Sequence, residues 1–281
     1  MFRRSKLFSA LIIIVLPMMC VSCSGIIGDT DYTHYETVRA VENATVEGKL
    51  VQYSRGTGYY YYDLNEWKAR IISADCYDLD ISKTNESGNI LYGCGTSFYI
   101  GNEQFNWIVK TALNFDDKPE KDWGVIVLVN YYNPSSRDGT TQNPRFASVY
   151  PKFNDMLKAF NTQSGYSVSY TFSENHSYDL SVVGDWSKSA DRSDIPYLIC
   201  VLSGHIFTDA YYNYNGINHI VTANQFCDDR SADNRIVRIA ATRTQNLFDI
   251  LNIDLVQRKI RVFRPGPTAT GKAAIAFCPM A

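Results

Sequence analysis

Cysteine thiols are the first residues of this chain that could do chemistry. Five of the seven cysteines lie in the body of the protein, at Cys76, Cys94, Cys200, Cys227 and Cys278. A hairpin turning on residues 83–87 would place Cys76 opposite Cys94, at the roughly 4.5–5.5 Å spacing of antiparallel partners, which a disulfide accepts. We therefore predict a Cys76–Cys94 disulfide. Because five is an odd number, at least one thiol lacks an intramolecular partner.

Histidines and carboxylates give no recognisable metal or catalytic motif. The four histidines are His34, His176, His205 and His219. They form no pair at the spacing of zinc ligands. The acidic clusters are Asp116, Asp117, Glu120 and Asp122, and Asp228, Asp229 and Asp233. Neither cluster has the turn glycine and regular oxygen spacing of a calcium loop, and the nucleotide-binding and hydrolase motifs are missing. We predict no metal, no cofactor and no assignable catalytic residue.

Tyrosine is the most unusual feature of the composition, with 20 residues beside 4 tryptophans. The run Tyr59, Tyr60, Tyr61 and Tyr62, if it is a strand, must send two rings to each face. A second group consists of Tyr211, Tyr212 and Tyr214, of which the last two share a face. Rings with a polar tip suit stacking on sugars and contacts with proteins, although tyrosine is also common in the core of sheets. These seven residues are our binding candidates.

The N-terminus has the three parts of an export signal. Arg3, Arg4 and Lys6 precede an apolar run from Leu7 to Met19 that is too short to span a bilayer comfortably. Small residues then lead to Cys23. This pattern resembles the lipobox of bacterial lipoproteins, which implies cleavage after residue 22 and acylation of Cys23. In such proteins an Asp after the cysteine retains the chain in the inner membrane, so Ser24 implies the outer membrane, facing the periplasm.

The charge of the mature chain disfavours nucleic acid as a partner. Removal of the signal leaves 24 of the 27 basic residues against 29 acidic residues, a net charge of about −5. A mildly acidic protein lacks the attraction to phosphate that drives nucleic-acid binding, and no polybasic membrane patch is present. We therefore expect the lipid on Cys23 to provide the attachment to the membrane.

Strand patterns dominate the rest of the chain. Phe105–Phe115 alternates apolar and polar residues, which predicts a half-buried strand, and Val125–Tyr132 and Ile195–Leu202 are apolar runs typical of strands buried on both faces. Asn215-Gly216 predicts a type I′ hairpin over Ile206–Asn224, with Tyr214 opposite Ile217, Tyr212 opposite His219 and Ala210 opposite Val221. Further strands are expected at Tyr166–Phe172, Leu180–Val183, Ile236–Ala241, Lys259–Phe263 and Ala273–Phe277.

Helical spacing is clear in one place. Phe153, Met156, Leu157 and Phe160 predict a helix near residues 151–163, while residues 244–251 fit either a helix or a strand. We expect a mainly β fold, an antiparallel sandwich or barrel-like body with one or two short helices, with α+β as the alternative. The predicted segments are a signal (1–22), a tether (23–40), β-rich regions (41–132 and 149–281) and a loop or boundary (133–148); the two β-rich regions could form one domain.

The function that these features favour is a non-enzymatic one. A lipid anchor, a β-rich body and the missing catalytic motifs indicate a cell-envelope protein that binds or scaffolds a protein or glycan partner. The alternative is an envelope hydrolase acting on glycan or peptide. A cleft with two facing carboxylates, or a cysteine in contact with a histidine, would favour the hydrolase, and an aromatic surface would favour binding.

Overall fold

The computed structural model describes residues 45–46, 49–50, 52–53, 59–76, 78, 86, 88, 99–129, 149–172, 178–187, 195–203, 210–221, 250–255, 258–263 and 277–279. These residues form a mainly β structure with two helices, which confirms the predicted fold class. Several predictions concern residues outside the described ones: the signal, Cys23, the tether, the 133–148 boundary, the Ile236–Ala241 strand, residues 244–249 and most of Ala273–Phe277.

The strands of the described part are short. They are β1 (Thr45–Val46), β2 (Lys49–Leu50), β3 (Gln52–Tyr53), β4 (Tyr60–Leu64), β5 (Ala69–Ala74), β6 (Gly124–Val129), β7 (Gly165–Tyr170), β8 (Leu180–Asp185), β9 (Tyr197–Ser203), β10 (Ala210–Tyr214), β11 (Ile217–Val221), β12 (Ile250–Asp254), β13 (Lys259–Phe263) and β14 (Phe277–Pro279). The predicted strands at 125–132, 166–172, 180–183, 195–202 and 259–263 are therefore present, with shifted ends for all but the last.

A seven-stranded sheet in the order β10-β11-β9-β6-β5-β4-β3 organises the molecule. Its outer pairs are antiparallel, as expected, but the three central pairs, β11–β9, β9–β6 and β6–β5, are parallel. Parallel neighbours need long crossover connections, which is why the helices lie between these strands in the sequence. Both β-rich regions contribute strands to this one sheet. The remaining pairings, β1–β2, β7–β8 and β12–β13–β14, are antiparallel.

The two helices occupy the crossovers. Helix α1 spans Asn102–Trp107 and continues as a π-helical turn over Ile108–Ala112, and helix α2 spans Val149–Asn161. The prediction for α2 is confirmed, with a start two residues earlier. The strand predicted over Phe105–Phe115 is wrong. Within that segment the side chains at 105, 108, 109 and 112 are buried, which is helical spacing. The same residues also alternate between apolar and polar types, which is why the sequence predicts a strand there.

The central sheet separates two apolar cores. On one face, β6 contributes Val125, Val127 and Val129 to a core shared with α1, α2 and the β7–β8 hairpin. On the other face, Ile126 packs in a second core formed with β12 and β13. Each fully buried aliphatic side chain contributes roughly 1.5–3 kcal/mol, so both layers stabilise the sheet. None of the helices in the described ranges is both long enough and apolar enough to cross a membrane.

Candidate binding surface on the β10–β11 hairpin

The hairpin of β10 and β11 turns as the sequence predicts. Asn215 and Gly216 have φ values of 54° and 81°, the positive values that a type I′ turn requires at both central residues. The register pairs Tyr214 with Ile217, Tyr212 with His219 and Ala210 with Val221, as expected from the turn. A turn dipeptide thus fixes which side chains of β10 and β11 lie opposite each other.

The two strands of the hairpin differ in burial. All five residues of β11 are buried, because β11 lies between β10 and β9. Strand β10 is the terminal strand in the sheet order, and Tyr211, Asn213 and Tyr214 are exposed. With exposed fractions of 40 % and 37 %, Tyr211 and Tyr214 are two of the three exposed large apolar side chains among the described residues, beside Val183. The hairpin therefore exposes aromatic rings on β10, next to the buried strand β11.

The pairing separates the exposed residues by face. Tyr211 pairs with Ile220, which packs in the core formed with β12 and β13. Tyr214 pairs with Ile217, which belongs to the core on the helical side. Since side chains alternate along a strand, Asn213 lies on the face of Tyr211, opposite to that of Tyr214. The side chain of Tyr212 lies outside the described residues, so the face that it shares with Tyr214 stays a prediction.

A buried amide holds the Tyr211 face in place. Asn218 is 3 % exposed, and its Oδ1 accepts two hydrogen bonds, from the Tyr211 hydroxyl and from Asn213 Nδ2, each at 3.0 Å. Its Nδ2 donates to the carbonyl oxygen of Ile199 at 3.5 Å. One interior side chain thus connects two exposed residues of β10 to strand β9.

The acceptor on β9 lies at an irregularity of the sheet. In the β6–β9 ladder Val125 pairs with Leu198 and Ile126 pairs with Cys200, so Ile199 is an extra residue at a β-bulge. Bulges leave their extra residue outside the regular ladder and redirect the neighbouring side chains. The Ile199 carbonyl that Asn218 contacts is therefore positioned by the centre of the sheet, not by the hairpin itself.

Asn213 keeps hydrogen-bonding capacity on its exposed side. An amide offers two N–H donors and a carbonyl acceptor, and the bond to Asn218 uses one donor. The second N–H and Oδ1 of this exposed side chain are not used by that bond. Residues i and i+2 of a strand are about 6.6 Å apart, so one small ligand could contact the ring and the amide together. This Tyr211–Asn213 surface is the arrangement of the described residues that best suits ligand binding.

The other tyrosine group, Tyr59–Tyr62, lies in the protein body. The rings of Tyr59 and Tyr61 contact Trp107, with centroids 4.8 and 6.1 Å apart. By alternation Tyr60 and Tyr62 lie on the opposite face. Tyr59 is buried and the other three are half-buried, so all four rings are less accessible than Tyr211. Their candidacy as binding residues stays a prediction.

Tyr61 also packs on a buried arginine. The Arg70 guanidinium lies between the rings of Tyr61 and Phe115, 4.0 and 4.3 Å from their centroids. It makes a bidentate ion pair with Asp63, with N–O distances of 2.6 and 2.9 Å, and Lys118 Nζ lies 2.8 Å from Asp63 Oδ2. Burial alone would raise the pKa of Asp63, but the hydrogen bonds and charges of Arg70 and Lys118 outweigh it and lower that pKa below 3.8.

This ion pair supports helix α1. Arg70 Nη1 donates to the carbonyl oxygens of Ala112 and Asn114, at 2.9 and 2.8 Å, where the π-helical turn ends. The last carbonyls of a helix have no partner within the helix, so the guanidinium satisfies the Ala112 carbonyl at the end of the turn, and it also binds the carbonyl of Asn114 just beyond it. With both acceptors and a carboxylate paired to it, Arg70 has a structural role.

The N-terminus of α1 is filled by the protein's own groups. Asp78 Oδ2 accepts hydrogen bonds from the Gly101 N–H at 3.0 Å and from Gln104 Nε2 at 3.1 Å. A β-carbon on Gly101 would lie 2.7 Å from Asp78 Oδ2, so only glycine permits this approach. Helix N-termini beside the carboxyl ends of parallel strands are common anion sites, but here the Asp78 carboxylate occupies that position.

The cysteine–histidine contact that would favour a hydrolase does not form between Cys200 and His219. Cys200 packs in the core beside β12 and β13, whereas His219 pairs with Val201 of the opposite core, so the two lie on opposite faces of the sheet. Burial lowers the pKa of His219 from 6.5 to about 3, so its ring is neutral. No group of three or more potential metal ligands occurs in the part of the chain that the structure describes.

The Cys76–Cys94 disulfide stays a prediction. Cys76 is buried, and its carbonyl oxygen accepts a hydrogen bond of 2.9 Å from the Tyr99 N–H. Cys94, Cys227 and the side chain of Cys278 lie outside the described residues, and so does the turn at 83–87 that the prediction needs, except for residue 86.

Sequence reasoning missed Asn213 and Asn218. The signal was present, since the register that follows from the Asn215-Gly216 turn places Asn213 directly opposite Asn218. Amide side chains that face each other across two strands can form a hydrogen bond. No family model, curated protein or solved structure matches this chain.

Proposed function

We propose that this chain is a lipid-anchored cell-envelope protein that binds another envelope component, protein or glycan, through the Tyr211–Asn213 surface. The observation that carries the proposal is that Tyr211 and Asn213 are exposed while hydrogen bonds to the buried Asn218 hold their side chains in place. Exposed aromatic rings with fixed orientation are typical of binding sites, because they provide contact area at a low entropic cost.

The proposed location follows from the N-terminus. Acylation of Cys23 would attach the chain to the outer membrane, with the body facing the periplasm, and the tether would hold the binding surface away from the lipid. Metabolic labelling with a radioactive fatty acid tests the anchor. The wild-type chain should take up label and Cys23→Ala should take up none; label retained by Cys23→Ala would contradict the anchor.

The binding role is tested by a pair of matched substitutions. Tyr211→Ser removes the ring from the proposed surface, and Tyr214→Ser removes an equally exposed ring from the opposite face of the same strand. Full-length variants would be crosslinked in intact cells, and the captured envelope components compared. Tyr211→Ser should lose a component that Tyr214→Ser keeps, with melting temperatures within a few degrees of wild type. Equal capture by both variants would refute the proposed surface.

A further inference from the structure

We propose that the partner of the Tyr211–Asn213 surface is a neutral glycan, with one sugar unit stacked on the Tyr211 ring and its hydroxyls bound to the Asn213 amide, and that Asn218 is the positioning residue of this site. The inference rests on the proposed binding function and names the chemistry of its ligand. Three properties support it, namely the size of the surface, the absence of charged side chains from residues 210–221 and the fixed amide.

The size of the surface suits a sugar unit. A tyrosine side chain carries about 150–250 Å², so the exposed 40 % of Tyr211 amounts to roughly 60–100 Å². A stable protein interface buries about 800 Å² on each partner and contains several anchors. On its face of β10, Tyr211 is the one exposed aromatic ring among the described residues. A single ring is too small to anchor a protein interface, but it matches one sugar ring.

The charge of the surface favours a neutral ligand. Residues 210–221 contain no Asp, Glu, Lys or Arg. His219 is the one histidine of this segment, and it is fully buried. A charged partner would lose hydration on binding here and gain no ion pair from the hairpin in return. A neutral polyhydroxyl compound does not incur this penalty.

The amide provides the matching hydrogen bonds. Sugar hydroxyls both donate and accept, and the remaining N–H and Oδ1 of the exposed Asn213 amide can pair with adjacent hydroxyls. Because Asn218 Oδ1 holds Tyr211 and Asn213 at once, neither side chain has to be ordered when the ligand binds. Loss of Asn218 should therefore weaken binding although Asn218 does not touch the ligand.

The test uses full-length protein in detergent and a panel of neutral oligosaccharides of glucose, galactose, mannose and N-acetylglucosamine, with sialylated and sulfated oligosaccharides as the charged comparison. Wild type should bind at least one neutral compound more tightly than every charged one. Tyr211→Ala should weaken that binding at least tenfold, and Asn213→Ala about three- to tenfold. Tyr214→Ala, an equally exposed tyrosine on the other face, should stay within twofold of wild type.

The positioning role of Asn218 has its own readout. Tyr211→Phe keeps the ring and loses the hydroxyl that contacts Asn218, so it remains informative even if Asn218→Ala folds poorly. Tyr211→Phe and Asn218→Ala should each weaken oligosaccharide binding about threefold or more. The double variant should bind as tightly as whichever single variant binds less tightly. Losses that multiply in the double variant would show independent roles and overturn the positioning role.

The outcomes also separate this inference from the proposed function. Binding of no neutral oligosaccharide, or tighter binding of a charged one, overturns the glycan inference. If Tyr211→Ser nevertheless loses an envelope component in crosslinked cells, the binding function stands with a different ligand. Equal effects of Tyr211→Ala and Tyr214→Ala on oligosaccharide binding would overturn the assignment to this face.

Discussion

The Tyr211 hydroxyl donates a hydrogen bond of 3.0 Å to Oδ1 of Asn218, which joins an exposed ring to a buried amide. The same oxygen accepts from Asn213. Both acceptor positions of one carbonyl oxygen are thus used to orient two residues on the surface. A substitution of the buried Asn218 should therefore change the orientation of the exposed Tyr211 and Asn213 side chains.

Loss of the Asn218 side chain should destabilise the protein. Asn218→Ala removes the three hydrogen bonds that Asn218 makes with Tyr211, Asn213 and Ile199 and leaves the Ile199 carbonyl buried without this donor, so we expect a loss of about 1–3 kcal/mol in the free energy of unfolding. Tyr211→Phe removes one of the three and should cost roughly 0.5–1.5 kcal/mol. Urea denaturation measures both. Tyr214→Phe is the control, because no hydrogen bond of its hydroxyl is seen within the described residues; an equal loss there would refute the role of Asn218.

The turn glycine should be sensitive to a single methyl group. At Gly216 φ is 81° and no atom lies within 4 Å of an added β-carbon, so the only cost of Gly216→Ala is the strain of positive φ, about 1–2 kcal/mol. Gly165 also has open space around an added β-carbon but no positive φ. Gly165→Ala should be neutral or slightly stabilising. Thermal melts of both variants decide, and equal melting temperatures would contradict the strain argument.

Loss of the buried ion pair should lower the free energy of unfolding far more than loss of a surface ion pair. Arg70→Met leaves the Asp63 carboxylate without its bidentate partner and removes the donor to the end of α1, so we expect a loss of about 3–5 kcal/mol. Lys68, whose side chain is 39 % exposed and pairs with Asp122 and Glu120, is the control. Lys68→Met should cost less than about 1 kcal/mol. Chemical denaturation at neutral pH compares them, and similar losses would contradict the difference in burial.

Acid should destabilise the protein through His219. In the unfolded chain its pKa is near 6.5, and burial lowers it to about 3 in the folded state. Below pH 6.5 the unfolded state binds a proton that the folded state does not, so stability falls as the pH drops from 6.5 towards 3, on the order of 1 kcal/mol per pH unit.

A variant isolates this contribution. Asp63, whose folded pKa is lowered, loses its stabilising effect only below its unfolded value of 3.8, so the range from pH 6.5 to 4 reports on His219. His219→Gln should have a flatter stability profile in that range, measured by denaturant titration at several pH values. An unchanged slope in His219→Gln would show that other groups cause the acid sensitivity.

Local sequence signals were sufficient for the hairpin and for helix α2. The Asn215-Gly216 turn fixes the pairing of β10 with β11, because a two-residue loop with positive φ permits one register. The Phe153, Met156, Leu157 and Phe160 spacing fixes the buried stripe of α2. The apolar run at Val125 identified β6, since a strand buried on both faces needs no alternation. In each case the determining residues are neighbours in the sequence.

Segment 105–115 needed information from distant residues. Its side chains satisfy an alternating pattern and a helical pattern at once, and the choice depends on the surroundings. Strands β5 and β6 pair in parallel, so the chain between them must cross over the sheet, and a helix with buried Phe105 and Ile108 does so. The continuous apolar runs of β6 and β9 indicate strands buried on both faces, but they do not show which strands are neighbours in the sheet.

The tertiary structure alone decided which tyrosines are accessible and what holds them. The sequence marked Tyr59–Tyr62 and the tyrosines of β10 equally, but Tyr59 and Tyr61 pack against Trp107, whereas Tyr211 and Tyr214 are exposed on the edge strand β10. Asn218 reaches a carbonyl of β9 because a bulge at Ile199 lies beside it. Local backbone preferences determine turns and helices within a few residues, whereas burial and hydrogen-bond partners depend on strands far apart in the sequence, which only folding brings together.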